Sequence, residues 1–520
     1  MVVTPNSRIR LLKSPIELDN KNQLTFSSEQ NQRNYFLGLP YLEYDQCSYQ
    51  RKDGVIRYET GNEPGEITYE DLLEYNYCMY QNEHYSNKWF YAFITGIKYI
   101  NDGMTEITIE TDVMQTWKFE INYKASFVER EHVNDDTIGA HTIPENFELG
   151  EYVCSQAEQG TTFAEASNCY VCCATTSNYD DQAGSRTNSY YNSLFSGLIY
   201  YIFKDFFSVN TWLVKMDKAS KGEAIQSIFM VPKSFFGNIE WDTVGDWVGT
   251  GYKCVPVSNG AYNMGDFTIN KPTSLANYTP VNKKLLTYPY CYLLGSNNNG
   301  TDIIYKYEDF SSSNMVFKIA GAICPGCSIK MLPRDYKNDN INYIEGLTVG
   351  KLPTCSWTTD VYINWLTQQA VNMPMQGFNI GAQLGSGNII GGINELGNSI
   401  NQIYQHELIP PQAKGNTNAG DLCFAYDKND PTFYFMSIKP EYARIIDKTF
   451  SMYGYKVNNV KIPNLDGRSN WNYVKTIGLN ITGNIPQEDM QKIKDIFNNG
   501  VTLWHNPSTF LDYSQSNNII

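Results

Sequence analysis

The sequence predicts a mainly β protein, and three observations support this fold class. Residues that favour strands occur throughout the 520 positions, including 39 tyrosines and 9 tryptophans, with many Asn and Gly residues between them. The clearest hairpin covers residues 89–111, where Asp102 and Gly103 supply the positive φ that a tight turn requires. Helical periodicity is rare along the chain, so sheets account best for the composition.

The order of these patterns divides the chain into four regions. Residues 1–150 are predicted to form strands with tight turns, and residues 151–355 an inserted β-rich region of one or more domains. Residues 356–418 are predicted to form a long glycine-rich loop of low charge, which includes two adjacent prolines that stop any helix. Residues 419–520 return to strand patterns and are expected to rejoin the first domain.

One short helix is predicted near the C-terminus, over residues 485–497. Pro486 and acidic residues occupy its first turn, as is typical of a helix start. Gly500 follows the last apolar residue of the pattern and indicates the end of the helix.

Residues 361–394 form a run of 34 positions without a charged side chain, although 18% of the chain is charged. Glycine is unfavourable in soluble helices, but small residues let helix backbones touch in a bilayer. The apolar spacing is mostly helical, which favours an amphipathic segment that inserts conditionally into a membrane. The alternative is a glycine-rich surface loop packed on the protein's own core. The candidate positions are Gly377, Gly381, Gly385, Gly391 and Gly392 with Phe378, Ile380, Leu384, Ile389, Ile390, Ile393 and Leu396.

Charge and cysteine usage exclude several classes. The net charge is −15 and no Lys/Arg run is present, so tight or sequence-specific nucleic-acid binding is not expected. The N-terminus lacks the basic start and apolar core of a signal peptide, which predicts synthesis in a cytoplasm. The 12 cysteines are scattered, unlike a disulfide scaffold, and most are expected to be reduced and buried.

Two residue clusters are candidate chemical sites. Cys324 and Cys327 have redox or zinc spacing, but no second pair of ligands accompanies them, which favours a Pro-Gly turn between buried thiols. The stretch 135–148 carries acidic residues and a histidine that suit cation binding or acid–base chemistry, but a solvated loop is the preferred interpretation. No catalytic residue, cofactor site or metal site is therefore expected. The members of the second cluster are Asp135, Asp136, His141, Glu145 and Glu148.

Several stretches resemble the tail knob protein of small short-tailed bacteriophages with protein-primed genomes. They follow the family's order along almost the whole chain, although residues 155–280 match poorly. The first begins Asn-Lys-Trp-Phe-Tyr-Ala-Phe, and the last ends Thr-Leu-Trp-His. The matching stretches are 87–93, 112–117, 126–133, 286–291, 409–412, 453–458, 461–465 and 499–505.

The resemblance implies a non-enzymatic structural protein of the distal tail. In the family, six copies form a tube of β-barrel-like domains, whose hydrophobic loops plug the lumen and later penetrate the host membrane. The implied partners are five further copies of the chain, the upper tail tube or collar, the tail tip, the host membrane and the passing genomic DNA, which is not bound specifically. Residues 370–405 would carry the membrane step, although this loop is shorter and more polar than the family's.

The sequence leaves two other functions open. One is a tail-associated enzyme that degrades cell wall or capsule, with residues 135–148 as its site. The other is a receptor-binding appendage that uses the poorly matching middle of the chain.

Overall fold

The chain forms two compact units in a computed structural model. Unit 1 comprises Met1–Glu148, Pro280–Lys284 and Glu441–Ile520, and unit 2 comprises Leu149–Thr279 and Leu285–Pro440. Strands predominate in both units, which confirms the predicted mainly β class. The structure describes residues 7–47, 50–61, 63, 65–82, 87–159, 169–180, 190–191, 194–195, 199–233, 236–255, 262–298, 300–321, 328–351 and 431–520.

Unit 1 is built from N-terminal and C-terminal strands. Its strands are β1 Ser7–Leu12, β2 Asn22–Leu24, β3 Tyr41–Cys47, β4 Val55–Glu59, β5 Tyr77–Asn82, β6 Trp89–Asn101, β7 Met104–Thr111, β8 Asn122–Tyr123, β9 Ser126–Glu131, β25 Tyr455–Lys461, β26 Trp471–Ile477, β27 Ile481–Thr482 and β28 Val501–Trp504. Its helices are α1 Glu29–Leu37, α2 Tyr69–Leu72, α3 Val113–Trp117, α5 Pro440–Tyr453 (in unit 1 from Glu441 onward) and α6 Gln487–Asn499.

The first sheet of unit 1 has the strand order β3-β1-β5-β6-β7-β4, and all its pairs are antiparallel. The predicted hairpin is confirmed, since β6 pairs with β7 and Asn101 lies opposite Met104. Ile107 and Ile109 are buried, whereas Thr108 between them is exposed. The alternation that predicted one wet face is therefore present in the folded strand.

The second sheet of unit 1 joins the two ends of the chain, in the order β2-β28-β26-β9-β25. Strand β9 lies between two C-terminal strands, and its Glu131 pairs with Val474 on one side and Tyr455 on the other. Trp471 and Trp504 face each other across β26 and β28, both buried, with ring centroids 5.1 Å apart. Burial of such large aromatic surfaces stabilises the sheet at this point.

The predicted C-terminal helix is confirmed as α6. It follows Pro486 and ends at Gly500, whose φ of 93° suits glycine. Ile493 and Phe497 are buried at a spacing of four residues, so one helical face packs into the apolar core of unit 1.

Helix α5 was not predicted, because residues 419–520 were assigned strands ahead of α6. Its buried residues Ala443, Ile446 and Phe450 follow helical spacing, and Pro440 occupies the first turn. The periodicity was present in the sequence, but Ile445 is 64% exposed and blurs the apolar face.

The described residues of unit 2 contain the remaining strands and one long helix, α4 Phe206–Lys218, whose Trp212 is fully buried. Its sheets have the orders β10-β24-β18-β19, β15-β11-β14-β16 and β17-β20-β21-β22, with β23 also paired to β21 and a separate β12–β13 pair. The strands are β10 Tyr152–Gln159, β11 Cys169–Thr175, β12 Tyr190–Tyr191, β13 Leu194–Phe195, β14 Ile199–Phe203, β15 Ile225–Pro232, β16 Tyr252–Val255, β17 Tyr262–Asn270, β18 Cys291–Ser296, β19 Asp302–Tyr305, β20 Asn314–Gly321, β21 Ser328–Tyr336, β22 Asp339–Ile341, β23 Leu347–Lys351 and β24 Thr432–Ile438.

Gly454, between α5 and β25, lies close to the backbone of β9, and substitution of this glycine tests how close that approach is. Its φ is 64°, and an added Cβ would lie 2.1 Å from the Glu131 carbonyl oxygen. Gly454→Ala is therefore expected to lower the free energy of unfolding by at least about 2 kcal/mol, since strain and a backbone clash combine. Denaturant titration followed by tryptophan fluorescence measures this change.

Gly478→Ala is the matched control for that substitution. Gly478 has a φ of 70°, but no atom lies within 4 Å of the Cβ position. The Gly478→Ala substitution should lower the free energy of unfolding by only about 1 kcal/mol, from backbone strain alone. Equal costs at both glycines would contradict the close approach of Gly454 to β9.

Candidate functional site

The predicted membrane segment lies outside the described residues, so its roles stay predictions. The structure describes only its attachments in unit 2, which are β23 before it and β24 after it. Among the described helices, none is both long enough and apolar enough to cross a bilayer. The positions concerned are Gly377, Phe378, Ile380, Gly381, Leu384, Gly385, Ile389, Ile390, Gly391, Gly392, Ile393 and Leu396.

The predicted thiol pair, Cys324 and Cys327, also lies outside the described residues. Within the part of the chain that the structure describes, no group of three or more His, Cys, Asp and Glu side chains is arranged to hold a metal ion.

The acidic stretch 135–148 lies within the described residues, and the expectation of a solvated loop is wrong for Glu145. Glu145 has a fully buried side chain, and Asp136 binds a tyrosine and a backbone amide. Asp135 and His141 remain at the surface, where the His141 ring nitrogen Nε2 bonds the Asp135 carbonyl oxygen over 2.8 Å. The stretch thus packs against the cations Arg130 and Lys284 of unit 1.

Glu145 is the centre of this arrangement. One of its oxygens pairs with Arg130 on β9, and the other pairs with Lys284 at 2.5 Å. The second oxygen also accepts a hydrogen bond of 2.9 Å from the backbone N–H of Lys456 on β25. Both oxygens are thus engaged by protein groups and the side chain is fully buried, which does not suit acid–base chemistry on a substrate.

Lys284 is nearly inaccessible, with 3% of its side chain exposed. Burial lowers the pKa of Lys284, and the negative charge of Glu145 opposes that shift. The ammonium group also lies 5.3 Å from the ring centroid of Tyr455 and 5.7 Å from that of Phe450. The cation is therefore held by one carboxylate and two aromatic faces instead of water.

A second buried carboxylate holds the residues just before Lys284. Asp447 of α5 is 2% exposed, and it accepts backbone hydrogen bonds from Val281 at 2.8 Å and from Asn282 at 3.0 Å. The Asn282 side-chain amide adds a bond of 2.7 Å to the same carboxylate. Such charge-assisted bonds are stronger than neutral ones.

Asp136 completes the contacts around this short segment. It accepts a bond of 3.0 Å from the backbone N–H of Lys283 and one of 2.5 Å from the Tyr455 hydroxyl. Burial, followed by the charge of Asp136, raises the pKa of Tyr455.

The three carboxylates together bind the segment 280–284, which we call the anchor segment. It belongs to unit 1, although the chain on both sides of it belongs to unit 2. The anchor segment is not evident from the sequence, because its partners are far apart in the chain. The juxtaposed Lys283 and Lys284 were its one local signal, and they resemble an ordinary solvated pair.

Comparison with known proteins identifies the class of protein to which this chain belongs. Residues 257–518 match the family described as the tail knob protein gp9 of Bacillus phage phi29, C-terminal domain, which is just over half of the chain. Residues 5–122 match the caudoviral major tail protein N-terminus. The chain is thus a structural protein of a phage tail. It belongs to the phi29 tail knob protein family, which confirms the resemblance found in the sequence.

Relatives match over nearly their full length. The chain is 25% identical to the tail knob protein gp9 of Bacillus phage B103, over 97% of each chain. It is 27% identical to that of Bacillus phage PZA, over 96% of each chain. The structure of the bacteriophage C1 tail knob protein, gp12, shares the fold, with a TM-score of 0.70, 18% identity and coverage of 99% of this chain and 100% of that one.

Removing the central carboxylate should destabilise unit 1. Glu145→Gln leaves Lys284 and Arg130 without their negative partner in a buried place, which costs about 3–5 kcal/mol. Glu74→Gln is the control, because the Lys13–Glu74 pair is exposed and should contribute nothing measurable. The wild type and the two variants are compared by their denaturation midpoints. Equal midpoints would show that the buried pair contributes nothing to the stability of unit 1.

Stability should also fall in acid, because buried histidines resist protonation. Burial lowers the pKa of His132 to about 3, and its Nδ1 accepts a bond of 2.8 Å from the backbone N–H of Tyr473. The unfolded chain takes up this proton near pH 6.5. The contribution of His132 is therefore complete above pH 6.5 and is lost as the pH falls towards 3, by about 1.4 kcal/mol per pH unit.

His132→Asn isolates this effect, since Asn keeps an acceptor but does not titrate. Asp112 has the opposite effect on stability in acid, because burial raises its pKa to about 6. This residue is present in both proteins, so its effect cancels from the difference between them. The difference in unfolding free energy between wild type and variant should shrink from pH 6.5 to pH 4.5. A difference that stays constant over this range would contradict a neutral buried His132.

Proposed function

We propose that the chain is one of six identical subunits of a tube at the distal end of the tail. The tube conducts the genome during ejection, contacts the upper tail and the tail tip, and has no enzymatic activity. Similarity to tail knob proteins over 96–97% of both chains carries this proposal. The acidic stretch 135–148 gives no support to the rival enzyme, because its buried carboxylates are engaged in holding the anchor segment.

The charge of the chain suits a conduit. At −15, each subunit repels a polyanion, and no basic run is present to hold phosphates. DNA that passes such a wall would not be retained by it.

The low-charge run 361–394 is proposed to plug the lumen and then to enter the host membrane. A bilayer rejects charges, and this run has none over 34 positions. The stretch that contains it is attached at both ends to paired strands, β23 and β24. The segment can therefore change its surroundings while the sheets of unit 2 remain paired.

The tube requires a closed ring with a head-to-tail interface between copies. Native mass spectrometry of the purified protein, or of tails released from virions, should give six chains per ring. A ring with a different number of copies would contradict the proposal.

Liposome leakage tests the membrane step. Protein whose segment has been released should empty dye-filled vesicles, and Gly381→Asp and Ile390→Asp should each suppress leakage at least tenfold. The reason is that a charge at the centre of a bilayer costs about 2.5–3.5 kcal/mol or more. Ile344→Asp is the control, because it adds the same charge at a position of unit 2 that is 92% exposed.

Deletion of residues 372–405 separates this step from assembly. The shortened chain should still form rings, since the described sheets lie outside the deletion, but it should not release dye. Full leakage from the deleted chain would overturn the membrane role and leave the tube role intact.

A further inference from the structure

A cavity of about 620 Å³ lies within unit 1, apart from the anchor segment. Its walls come from three separate parts of the chain, which are residues 24–35, 114–123 and 465–507. The volume falls in the range of roughly 300–1,000 Å³ that is typical of small-molecule sites.

The inner wall of the cavity is apolar. Leu24, Met114, Ile121 and Leu503 line it, and each has no more than 9% of its surface exposed. Half-buried aromatic rings, including Tyr35, continue this surface. A ligand with an apolar body would remove this wall from water.

One cation lines the same cavity. Lys118 is half-buried, and among the described residues no carboxylate lies within ion-pair distance of its ammonium group. Burial lowers the pKa of Lys118 to about 8, and attraction to Asp466, an exposed residue of the cavity lining, opposes the shift. A partly buried charge without a close partner carries part of the cost of desolvation, and an anion supplied by a ligand would reduce that cost.

His505 does not compete with Lys118 for this role. Its Nδ1 is 2.9 Å from the Thr25 hydroxyl and its Nε2 is 3.0 Å from the Asn472 amide oxygen. Burial lowers the pKa of His505 to about 4, so the ring is neutral at pH 7. The cavity lining therefore combines apolar walls with the ammonium group of Lys118 and the exposed carboxylate of Asp466.

We propose that this cavity binds an amphipathic carboxylate, with the carboxylate on Lys118 Nζ and the apolar body against Leu24, Ile121 and Leu503. The ligand would contact all three parts of the chain that form the cavity. Because it binds only where these parts are assembled, it would stabilise folded unit 1 by mass action. The proposal is independent of the tail-tube role.

Dansyl-labelled undecanoate titrated into the purified full-length chain tests the ligand class. The probe should bind at one saturable site per chain, decanoate should displace it, and 1-decanol should displace it at least tenfold less well. Absence of saturable binding, or equal competition by decanoate and 1-decanol, would overturn the proposal.

Substitution of the cation tests the location. Lys118→Gln should weaken probe binding at least tenfold, whereas Lys118→Arg should retain it. Lys124→Gln is the control, because this exposed lysine is near in sequence and does not line the cavity. A folded Lys118→Gln protein with unchanged affinity would overturn the assignment. If that variant does not fold, the comparison of decanoate with 1-decanol on the wild-type chain decides whether the site requires a carboxylate.

Discussion

The fold of unit 1 depends on the position of β9 between two C-terminal strands. Val128 of this strand lies opposite Asn459 on one side and Thr476 on the other, so the second sheet is complete only when the end of the chain has been made. The entropy of closing a loop grows slowly with its length, and a long insertion between β9 and β25 is therefore tolerated. All of unit 2 occupies that insertion, interrupted only by the anchor segment.

The anchor segment explains the burial of Glu145, Lys284 and Asp447, since Lys284 ends this segment and the two carboxylates bind it. A buried ion pair contributes little net stability, but it penalises every arrangement in which one partner is left alone. Glu145 and Asp447 therefore select which residues of the long insertion return to unit 1.

Local signals account for what the sequence predicted correctly. An Asp-Gly turn defined the β6–β7 hairpin, and a proline and a glycine marked the ends of α6. The anchor segment could not be predicted in this way, because Arg130, Glu145 and Lys284 are brought together only by the folded chain. The low-charge run 361–394 is a different case, since absence of charge over a continuous run is visible in the sequence alone.

Cryo-electron microscopy of virions before and after genome release tests most directly whether the low-charge segment serves as plug and membrane probe. Difference density between the intact chain and a chain lacking residues 372–405 would locate the segment in each state. The segment is expected inside the tube lumen before release and beyond the tail tip afterwards. Density that occupies the same place in both states, in the wall of the tube, would contradict the proposed function.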